Sequence, residues 1–428
     1  MKKIIFLIVV LMLFDFCKIN ENDNNDDSNP VLSVFYVSPD GNDDNDGSIN
    51  DPWKTIQHGV NNINAGDKLV IKSGTYNEKI YINKSGEEGK EIIIEGEDVR
   101  NTIITGANLE GDTIFMENSS YIKLTNLTMV NGGRAGIRLS YSDNIELTYL
   151  LIGNCGKWGI FTDFSNHTYI SNCEVSGSKS EHGIYISNSS DNATIRNSIV
   201  YNNYACGIQI NADPSMGGDG ISIDCLIENN ILYGNGTGGG AAINLASTRD
   251  SVIQNNLIFK NYAGGIALWD DAQGYEWGCK NNKLIHNTIY FAQNYGRWCI
   301  SVKNGSTGNT IYNNVMSGGR NGGFEYDNSS VSNLIIDNNI YYRYGSVYVI
   351  SNEDNNELTL GQWKAMGYDK NSFTNSPEGI FKSLTSNDYH LRSSSPAIDK
   401  GINANLSYDF EGDSRPKGNG YDIGCDEY

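Results

Sequence analysis

The 428-residue sequence predicts an all-β protein, a parallel β-solenoid in which short strands stack coil upon coil. A Gly-apolar-x-apolar unit recurs about every two dozen residues, and a second, Asn-led unit recurs in phase with it. The composition agrees, because 57 Asn and 47 Gly disfavour helices. With 11% aromatic residues, the chain is also too apolar for simple disorder.

The first unit begins in most coils with a glycine, followed by alternating apolar residues. Its successive steps are 23, 24, 24, 35, 23, 34 and 24 residues. The two long steps predict loop insertions of about ten residues each, since insertions in a solenoid map to loops. The unit begins at Gly136, Gly159, Gly183, Gly207, Ala242, Gly265, Cys299 and Gly323.

The second unit predicts the corners of the coils. Asparagine tolerates the left-handed backbone of a corner and can hydrogen-bond along the stack. Each coil should advance the solenoid by about 4.8 Å, the spacing between strands. A leucine-rich repeat has a similar length, but its Leu-dominated pattern is missing. The unit begins at Asn126, Asn172, Asn197, Asn230, Asn256, Asn287, Asn314 and Asn339.

The N-terminus is typical of a targeting segment. Two lysines precede an apolar run of 11 residues, which fits a secretory signal over residues 1–17 and is too short to span a bilayer. Cys17 is a candidate lipidation site, although Asp15 and Phe16 stand where small residues are usual. Residues 18–32 are typical of an acidic, Asn-rich tether. We expect an exported protein, either a cell-surface or outer-membrane lipoprotein or a secreted one.

The charge balance limits the partners. A formal net charge of −20 argues against nucleic acid, whose phosphates require clustered Lys and Arg. A polyanionic substrate would need a local basic patch or a bound cation. We expect a monomer that contacts a membrane only through an N-terminal lipid anchor.

Both flanks of the repeat carry recognisable motifs. The N-terminal flank reads Phe35-Tyr36-Val37-Ser38-Pro39-Asp40-Gly41, then Pro52-Trp53-Lys54-Thr55-Ile56-Gln57, Gly66-Asp67 and Gly74-Thr75-Tyr76. The C-terminal flank reads Ser395-Pro396-Ala397-Ile398-Asp399 and Asp422-Ile423-Gly424. With the repeat over residues 91–350, the sequence resembles the pectate-lyase-like, right-handed parallel β-helix proteins of bacteria.

The resemblance implies a single-stranded, right-handed parallel β-helix (solenoid) with a short N-terminal capping helix near residues 55–63. The N-terminal cap and first coils would span residues 33–90, and a C-terminal closure would span residues 351–428. Caps are needed because an open coil end exposes apolar core and unpaired strand edges. The family includes polysaccharide lyases, hydrolases, epimerases and proteins without known activity, so the fold alone does not determine the function.

The polar residues of the first unit should form two columns on the outer face of one sheet. The first column reads Arg138, Phe161, Tyr185, Gln209, Asn244, Ala267, Ser301 and Glu325. The second reads Ser140, Asp163, Ser187, Asn211, Ala246, Trp269, Lys303 and Asp327. We interpret this face as a sugar-binding groove, since rings stack on sugars and amides bind hydroxyls; a plain polar sheet face is the alternative. The candidate substrate-binding residues are Arg138, Asp163, Gln209, Asn211, Asn244, Trp269 and Arg297.

The segment Glu181-His182-Gly183-Ile184-Tyr185 holds the leading catalytic candidates. Histidine can act as a base or acid near neutral pH, and tyrosine can protonate a leaving oxygen. A corner histidine bonded to backbone is the alternative. By the resemblance, Lys303 is a second candidate base, because lyases of this fold often use Lys or Arg beside a uronate carboxylate. Arg138 and Lys303 should lie about 30 Å apart and cannot serve one subsite.

The two insertions carry candidate metal ligands. Asp213 and Asp219 lie in the first, and Asp270 and Asp271 in the second. Carboxylates from such loops suit Ca²⁺, which prefers six to eight oxygen ligands. Ordinary turn chemistry is the alternative, because Asp and Gly are common turn residues.

The sequence therefore favours an exported carbohydrate-active β-helix protein, a polysaccharide lyase that cleaves an acidic, uronate-containing polymer by β-elimination. A glycoside hydrolase is the first alternative, with Asp163 and Glu181 as its paired carboxylates. A non-catalytic surface glycan-binding protein or adhesin is the second.

Overall fold

A computed structural model describes residues 33–271, 273–352 and 356–428. The predicted signal segment 1–17, Cys17 and the tether 18–32 lie outside the described residues. The described chain winds as a parallel β-helix whose coils contribute to three sheets of 12 strands each. No helix in this part of the chain is long and apolar enough to cross a membrane.

Sheet 1 consists of Val34–Val37, Lys68–Ile71, Ile92–Gly96, Ser120–Thr125, Asp143–Thr148, Tyr169–Ser171, Thr194–Arg196, Leu226–Glu228, Val252–Gln254, Lys283–Ile285, Thr310–Tyr312 and Ile335–Asp337. Sheet 2 consists of Gly74–Tyr76, Thr102–Thr105, Thr128–Val130, Leu151–Gly153, Glu174–Ser176, Ile199–Tyr201, Ile231–Tyr233, Leu257–Phe259, Thr288–Tyr290, Val315–Ser317, Ile340–Tyr342 and Phe373–Thr374. Sheet 3 consists of Ile80–Ile82, Ile114–Glu117, Ala135–Ser140, Trp158–Asp163, Ile184–Ser187, Ile208–Asn211, Ala241–Ala246, Gly264–Trp269, Trp298–Val302, Gly322–Tyr326, Tyr348–Asn352 and Glu357–Thr359.

Two short parallel strands, Ser222–Ile223 and Thr248–Arg249, pair beside the main sheets, and Phe381–Ser383 pairs antiparallel with Asp388–Leu391. One-turn 3₁₀ helices span Pro214–Met216 and Tyr275–Trp277. The inward apolar side chains of all three sheets form one continuous core along the axis.

Helices close both ends of this core. Helix α1, Ile56–Asn62, begins after Thr55, whose hydroxyl accepts from the His58 N–H at 3.3 Å, and it confirms the predicted capping helix. At the other end, Glu357–Thr359 pairs antiparallel with Tyr348–Asn352 and leads into helix α2, Leu360–Ala365. Trp363 of α2 is fully buried against Phe324 and Tyr326, so it covers the last coil.

The C-terminal segment, from helix α3 (Pro377–Ile380) to residue 428, lies along the outer face of sheet 2. Its apolar residues form a second core with the outward side chains of that sheet. Corner asparagines hold the segment, since the Nδ2 atoms of Asn255 and Asn313 donate to backbone carbonyls of Tyr408 and Ile402, each at 2.8 Å. The closure therefore covers a sheet as well as the end of the coil.

A ladder of buried asparagine side chains joins successive coils. We use "asparagine ladder" for Asn230, Asn256, Asn287, Asn314 and Asn339, which have no exposed surface. Asn287 shows the pattern. Its Oδ1 accepts from the backbone N–H of Asn256 at 3.1 Å and from the Asn256 Nδ2 at 3.0 Å. Its Nδ2 donates to the Ile253 carbonyl at 2.9 Å and to the Asn314 Oδ1 at 3.0 Å. Each amide thus satisfies backbone groups that water cannot reach.

Corner and ladder positions are adjacent in sequence. The predicted Asn-led unit therefore does not begin at the same structural position in every coil. Asn126, Asn172 and Asn197 have φ values of 56°, 54° and 49°, so they are left-handed corner residues. From Asn230 onward the predicted unit begins instead on the ladder, and the corner is the preceding residue, as at Asn229 with φ of 56°. The slip of one residue arises because both positions favour asparagine for different reasons.

We predict that Asn287→Ala lowers the free energy of unfolding by at least about 3 kcal/mol, because buried partners lose their hydrogen bonds at about 1–3 kcal/mol each. Asn321→Ala is the control, since Asn321 is exposed. Urea denaturation followed by circular dichroism measures both variants. Equal stability of the two variants would contradict the role of the ladder.

Candidate functional site

The register of sheet 3 confirms the two predicted columns. Phe161 pairs with Arg138 on one side and with Tyr185 on the other, and the first column continues through Gln209 to Glu325. The second column pairs from Ser140 to Trp269. The sheet also begins two strands earlier than the glycine repeat, which adds Tyr81 and Phe115 below Arg138.

The predicted exposure of these columns is wrong over much of their length. Gln209 and Asn244 are 4% and 7% exposed. The Gln209 Oε1 accepts from the Asn244 Nδ2 at 2.7 Å, so these predicted sugar-binding amides bond to each other. The small side chains of Ala267 and Ser301 are buried as well. In a regular stack, such polar side chains are covered by their neighbours on adjacent coils. Solvent-accessible functional groups are therefore expected on the coils that carry large side chains.

An aromatic cluster occupies two neighbouring coils of sheet 3. Trp158 and Phe161 stack on one coil with ring centroids 4.5 Å apart, and His182 and Tyr185 meet edge to face on the next at 5.1 Å. Phe161 and Tyr185 connect the two pairs at 5.4 Å. Sequence reasoning missed Trp158, which precedes its repeat glycine as His182 does. A search of that position in every unit would have found it.

Positive charge gathers at the lower end of the cluster. The Arg138 guanidinium lies over the Phe115 ring at 4.7 Å and donates to the Asp163 Oδ2 at 2.9 Å. Arg134 and Lys157 lie over the Trp158 ring at 5.9 and 5.3 Å. Asp163 is buried, and its Oδ1 has no hydrogen-bond partner among the described residues. This end of the face therefore combines cations, rings and one buried acceptor.

His182 is a neutral hydrogen-bond donor in this environment. Burial lowers its pKa to about 4. Its Nδ1 accepts from the backbone N–H of Cys206 at 3.1 Å, which places the ring proton on Nε2, 3.7 Å from the Glu181 carboxylate. One ring nitrogen of His182 thus bonds to backbone, as the alternative interpretation of a corner histidine predicts, while the other nitrogen faces Glu181. A base at Nε2 would need the opposite tautomer.

Tyr185 is protonated at neutral pH. Burial is the largest cause and raises the pKa of Tyr185. The negative charges of Asp271 and Asp213 raise this pKa further, whereas a hydrogen bond from Asn211 lowers it. The hydroxyl therefore lies where side chains from both insertions act on it. A protonated phenol in such a position can donate to an oxygen of a bound molecule.

The two insertions lie on the same rim of the face. The Asn211 Nδ2 donates to the Asp271 Oδ2 at 2.6 Å, which links the strand before one insertion to the other insertion. Trp277 lies beside Gly220, leaving no room for a Cβ at that glycine. The Asn211 Oδ1 has no partner within the described chain, and Asn211 is 9% exposed. Asn211, Asp213 and Asp271 thus present oxygens around Tyr185.

The other two predicted metal ligands form turns. The Asp219 Oδ1 accepts from the Ile221 N–H at 3.0 Å. Asp270 is buried and accepts from the Gly274 N–H at 3.0 Å and the Asn304 Nδ2 at 2.7 Å. Asp213 makes the same kind of turn, since its Oδ1 accepts from the Ser215 N–H at 2.8 Å; what sets Asp213 and Asp271 apart is the effect of their charges on the Tyr185 pKa.

The remaining site candidates belong to later coils of the solenoid. Lys303 follows strand Trp298–Val302 and pairs with Glu325 at 3.1 Å. It is four coils above Tyr185, about 19 Å at the strand spacing. Arg297 lies near Gly239 and the buried Cys206. Trp269 is half-buried, and its indole N–H is unpaired within the described residues.

Comparison with known proteins identifies the architecture. Residues 35–163 match the family model described as a Pel9A-like, right handed beta helix region, and residues 113–289 match that of a right handed beta helix region. In fold, the chain is similar to the pectate-lyase-like, right-handed β-helix proteins. This confirms the predicted fold class.

Two curated proteins are similar over part of the chain. The uncharacterized protein YwoF of Bacillus subtilis is 32% identical over 109 residues, which are 25% of this chain and 22% of that protein. The pectate lyase PEL9 of Emericella nidulans is 30% identical over 118 residues, 24% of this chain and 29% of that protein. The chain thus spans less than a third of the length of either relative.

Solved structures share the fold over most of the chain. The pectate lyase Pel9A has a TM-score of 0.60 at 17% identity, covering 92% of this chain and 96% of that one. An alginate lyase from Paenibacillus has a TM-score of 0.53 at 17% identity, covering 73% and 98%. A GH136 lacto-N-biosidase from Eubacterium ramulus has a TM-score of 0.53 at 13% identity, covering 80% and 68%. At these identities the likeness extends to the fold alone.

We predict that His182 stays neutral until the pH falls to about 4. Unfolded histidine binds a proton below about pH 6.5, so lowering the pH from there to about 4 should favour unfolding by up to about 3 kcal/mol. His182→Gln should remove this component of the pH dependence, and His167→Gln, at an exposed position, should retain it. Histidine NMR titration and unfolding at several pH values measure both effects; a His182 pKa near 6.5 would contradict the assignment.

Proposed function

We propose that the protein is an exported polysaccharide lyase that cleaves a uronate-containing polymer by β-elimination on the outer face of sheet 3. One observation carries the proposal. The protonated Tyr185 lies between the neutral His182 and the oxygens of Asn211, Asp213 and Asp271, in register with Arg138 two coils away. A similar protein is named a pectate lyase and a structural neighbour an alginate lyase, and both names refer to uronate polymers.

Arg138 and the rings beside it would hold the polymer. A guanidinium binds carboxylates well because its donors form a planar fork. Trp158, which is half-buried, lies on the neighbouring coil and stacks on the buried Phe161. At the strand spacing, Arg138 is about 10 Å from Tyr185, so it would bind a uronate next to the reacting one. Arg138 is paired with Asp163 and Arg134 with Asp112, so a uronate carboxylate would compete with these partners for the two guanidinium groups.

Tyr185 would transfer the proton. β-Elimination breaks a C–H bond beside the carboxylate and the C–O bond to the leaving sugar, and it forms a C=C bond. The Tyr185 hydroxyl would give its proton to the leaving oxygen as the C–O bond breaks, and the same oxygen would take the proton from carbon on the same face of the ring, so that the phenol is regenerated. His182 would donate a hydrogen bond from Nε2 and orient the sugar. Lys303, in its pair with Glu325, is the alternative base for a separate subsite.

The oxygens around Tyr185 fit a calcium ion. The Asn211 Oδ1 is a buried acceptor without a described partner, and Asp213 and Asp271 are carboxylates, which are the hard ligands that Ca²⁺ prefers. Bound Ca²⁺ would offset the charges that raise the Tyr185 pKa and would stabilise the developing enediolate. These three residues replace the predicted set of four aspartates, because the charges of Asp213 and Asp271 act on Tyr185 and the Asn211 Oδ1 has no described partner.

We predict that Tyr185→Phe reduces lyase activity at least about 100-fold, the usual contribution of a proton-transferring side chain. Tyr262→Phe is the matched control, since Tyr262 is exposed and lies outside the groove. Protein lacking residues 1–30 is incubated with pectate, alginate and glycosaminoglycans, and the ultraviolet absorbance of unsaturated ends is followed. New reducing ends without that absorbance would indicate a hydrolase. No cleavage of any polymer would favour a glycan-binding protein.

We predict that Asp271→Asn raises the calcium concentration needed for half-maximal activity at least about tenfold, because one carboxylate of the oxygen set loses its charge. Asp219→Asn, in the first insertion, removes the same charge from an exposed turn and should leave the calcium response unchanged. Activity is measured after chelation and stepwise addition of Ca²⁺. Equal responses of the two variants would exclude this calcium site.

A further inference from the structure

The C-terminal segment contains a second polar cluster, remote in sequence from the groove. His390 lies in strand Asp388–Leu391, and carboxylates contact both of its ring nitrogens. Its Nδ1 is 2.6 Å from the Asp388 Oδ1, and its Nε2 is 2.8 Å from the Glu411 Oε2. The imidazole is therefore held in one orientation by groups on either side.

A third carboxylate completes the cluster. Asp426 is 5% exposed, and its Oδ2 accepts from the Leu391 N–H at 2.6 Å. One ligand atom from each of His390, Glu411 and Asp426 lies within 4.8 Å of the other two. Among the histidines, cysteines, aspartates and glutamates of the described residues, no other group of three meets this condition.

The donors match a transition-metal ion better than calcium. One imidazole nitrogen with two carboxylates is a ligand set that zinc accepts, whereas Ca²⁺ takes oxygen alone. Asp388 on the far nitrogen of His390 is the arrangement that orients metal-binding histidines and directs Nε2 to the ion. The side chains of His390 and Glu411 are 25% and 30% exposed, so an ion can reach them from solvent.

The local charge also calls for a cation. Asp388, Glu411 and Asp426 surround a single histidine, and Asp409 acts on the same group from nearby. Burial raises the pKa of Asp426 to about 6, although the charge of His390 lowers it. The hydrogen bond to Glu411 raises the pKa of His390 to about 9, so a divalent ion would have to displace the proton on Nε2.

We propose that His390, Glu411 and Asp426 bind one divalent transition-metal ion of the zinc class, and that this ion joins three separate parts of the C-terminal segment. The three ligands come from a strand, the Asp409–Asp413 turn and the chain end. These parts fold over sheet 2, where they contribute to the second core. A shared ion would stabilise this closure, because the unfolded chain does not hold the three ligands together.

Thermal unfolding of chelator-treated full-length protein tests the proposal, with Zn²⁺, Mn²⁺ or Ca²⁺ added singly and binding measured by calorimetry. We expect about one Zn²⁺ per chain and a higher melting temperature with Zn²⁺ but not with Ca²⁺. Glu411→Gln and His390→Gln should each weaken Zn²⁺ binding at least about tenfold, the scale on which lost ligands and their supports act. His167→Gln removes an exposed histidine and should change nothing.

Each other outcome counts against the site. Unchanged Zn²⁺ binding in Glu411→Gln would overturn it, as would weakening in His167→Gln of the same size. Absence of binding to the unaltered protein would leave the cluster as an ion-pair network only. If His390→Gln fails to fold, Glu411→Gln decides, because Glu411 is partly exposed and its loss removes one ligand. Anomalous scattering at the zinc edge would locate the ion directly at the His390 Nε2.

Discussion

The asparagine ladder is the interaction on which the coils from Asn230 to Asn339 depend. Each amide holds the backbone of one coil to the next and satisfies polar groups inside the solenoid, where water is absent. Because a buried backbone N–H has no water to donate to, its hydrogen bond to the ladder fixes the distance and the register between coils. Side chains far apart in sequence, such as Asn244 and Ser301, are therefore brought into line on sheet 3.

The groove arises from the regular stacking of the coils and from the two insertions that interrupt the repeat. In-register stacking brings together Trp158, Phe161, His182 and Tyr185 from two coils. The two insertions leave the solenoid on the same rim and meet through the Asn211–Asp271 bond. Regular coils thus supply binding surface, whereas the insertions supply charge. The concentration of cations near Arg138 is local, in a protein whose net charge is −20.

The columns could be predicted because a strand alternates its side chains and a solenoid repeats its strands. Other features could not. Asn126 and Asn230 look alike in sequence, yet one turns a corner and the other bridges coils. Gln209 and Asn244 look available for a ligand, but they bond to each other. His390 gave no signal, because its partners Glu411 and Asp426 come from distant positions.

The sequence by itself determined the parallel β-solenoid, the period of its coils and the position of the two insertions, since all of these are local or periodic patterns. The right hand of the helix and the capping helix were implied by the resemblance to known β-helix proteins. Only the tertiary structure decided which polar groups are free. It buried much of the predicted groove, assigned the His182 proton to Nε2, and placed Asp213 and Asp271 where their charges act on Tyr185. The physical reason is that hydrogen-bond partners and burial depend on neighbouring coils, which no single repeat contains.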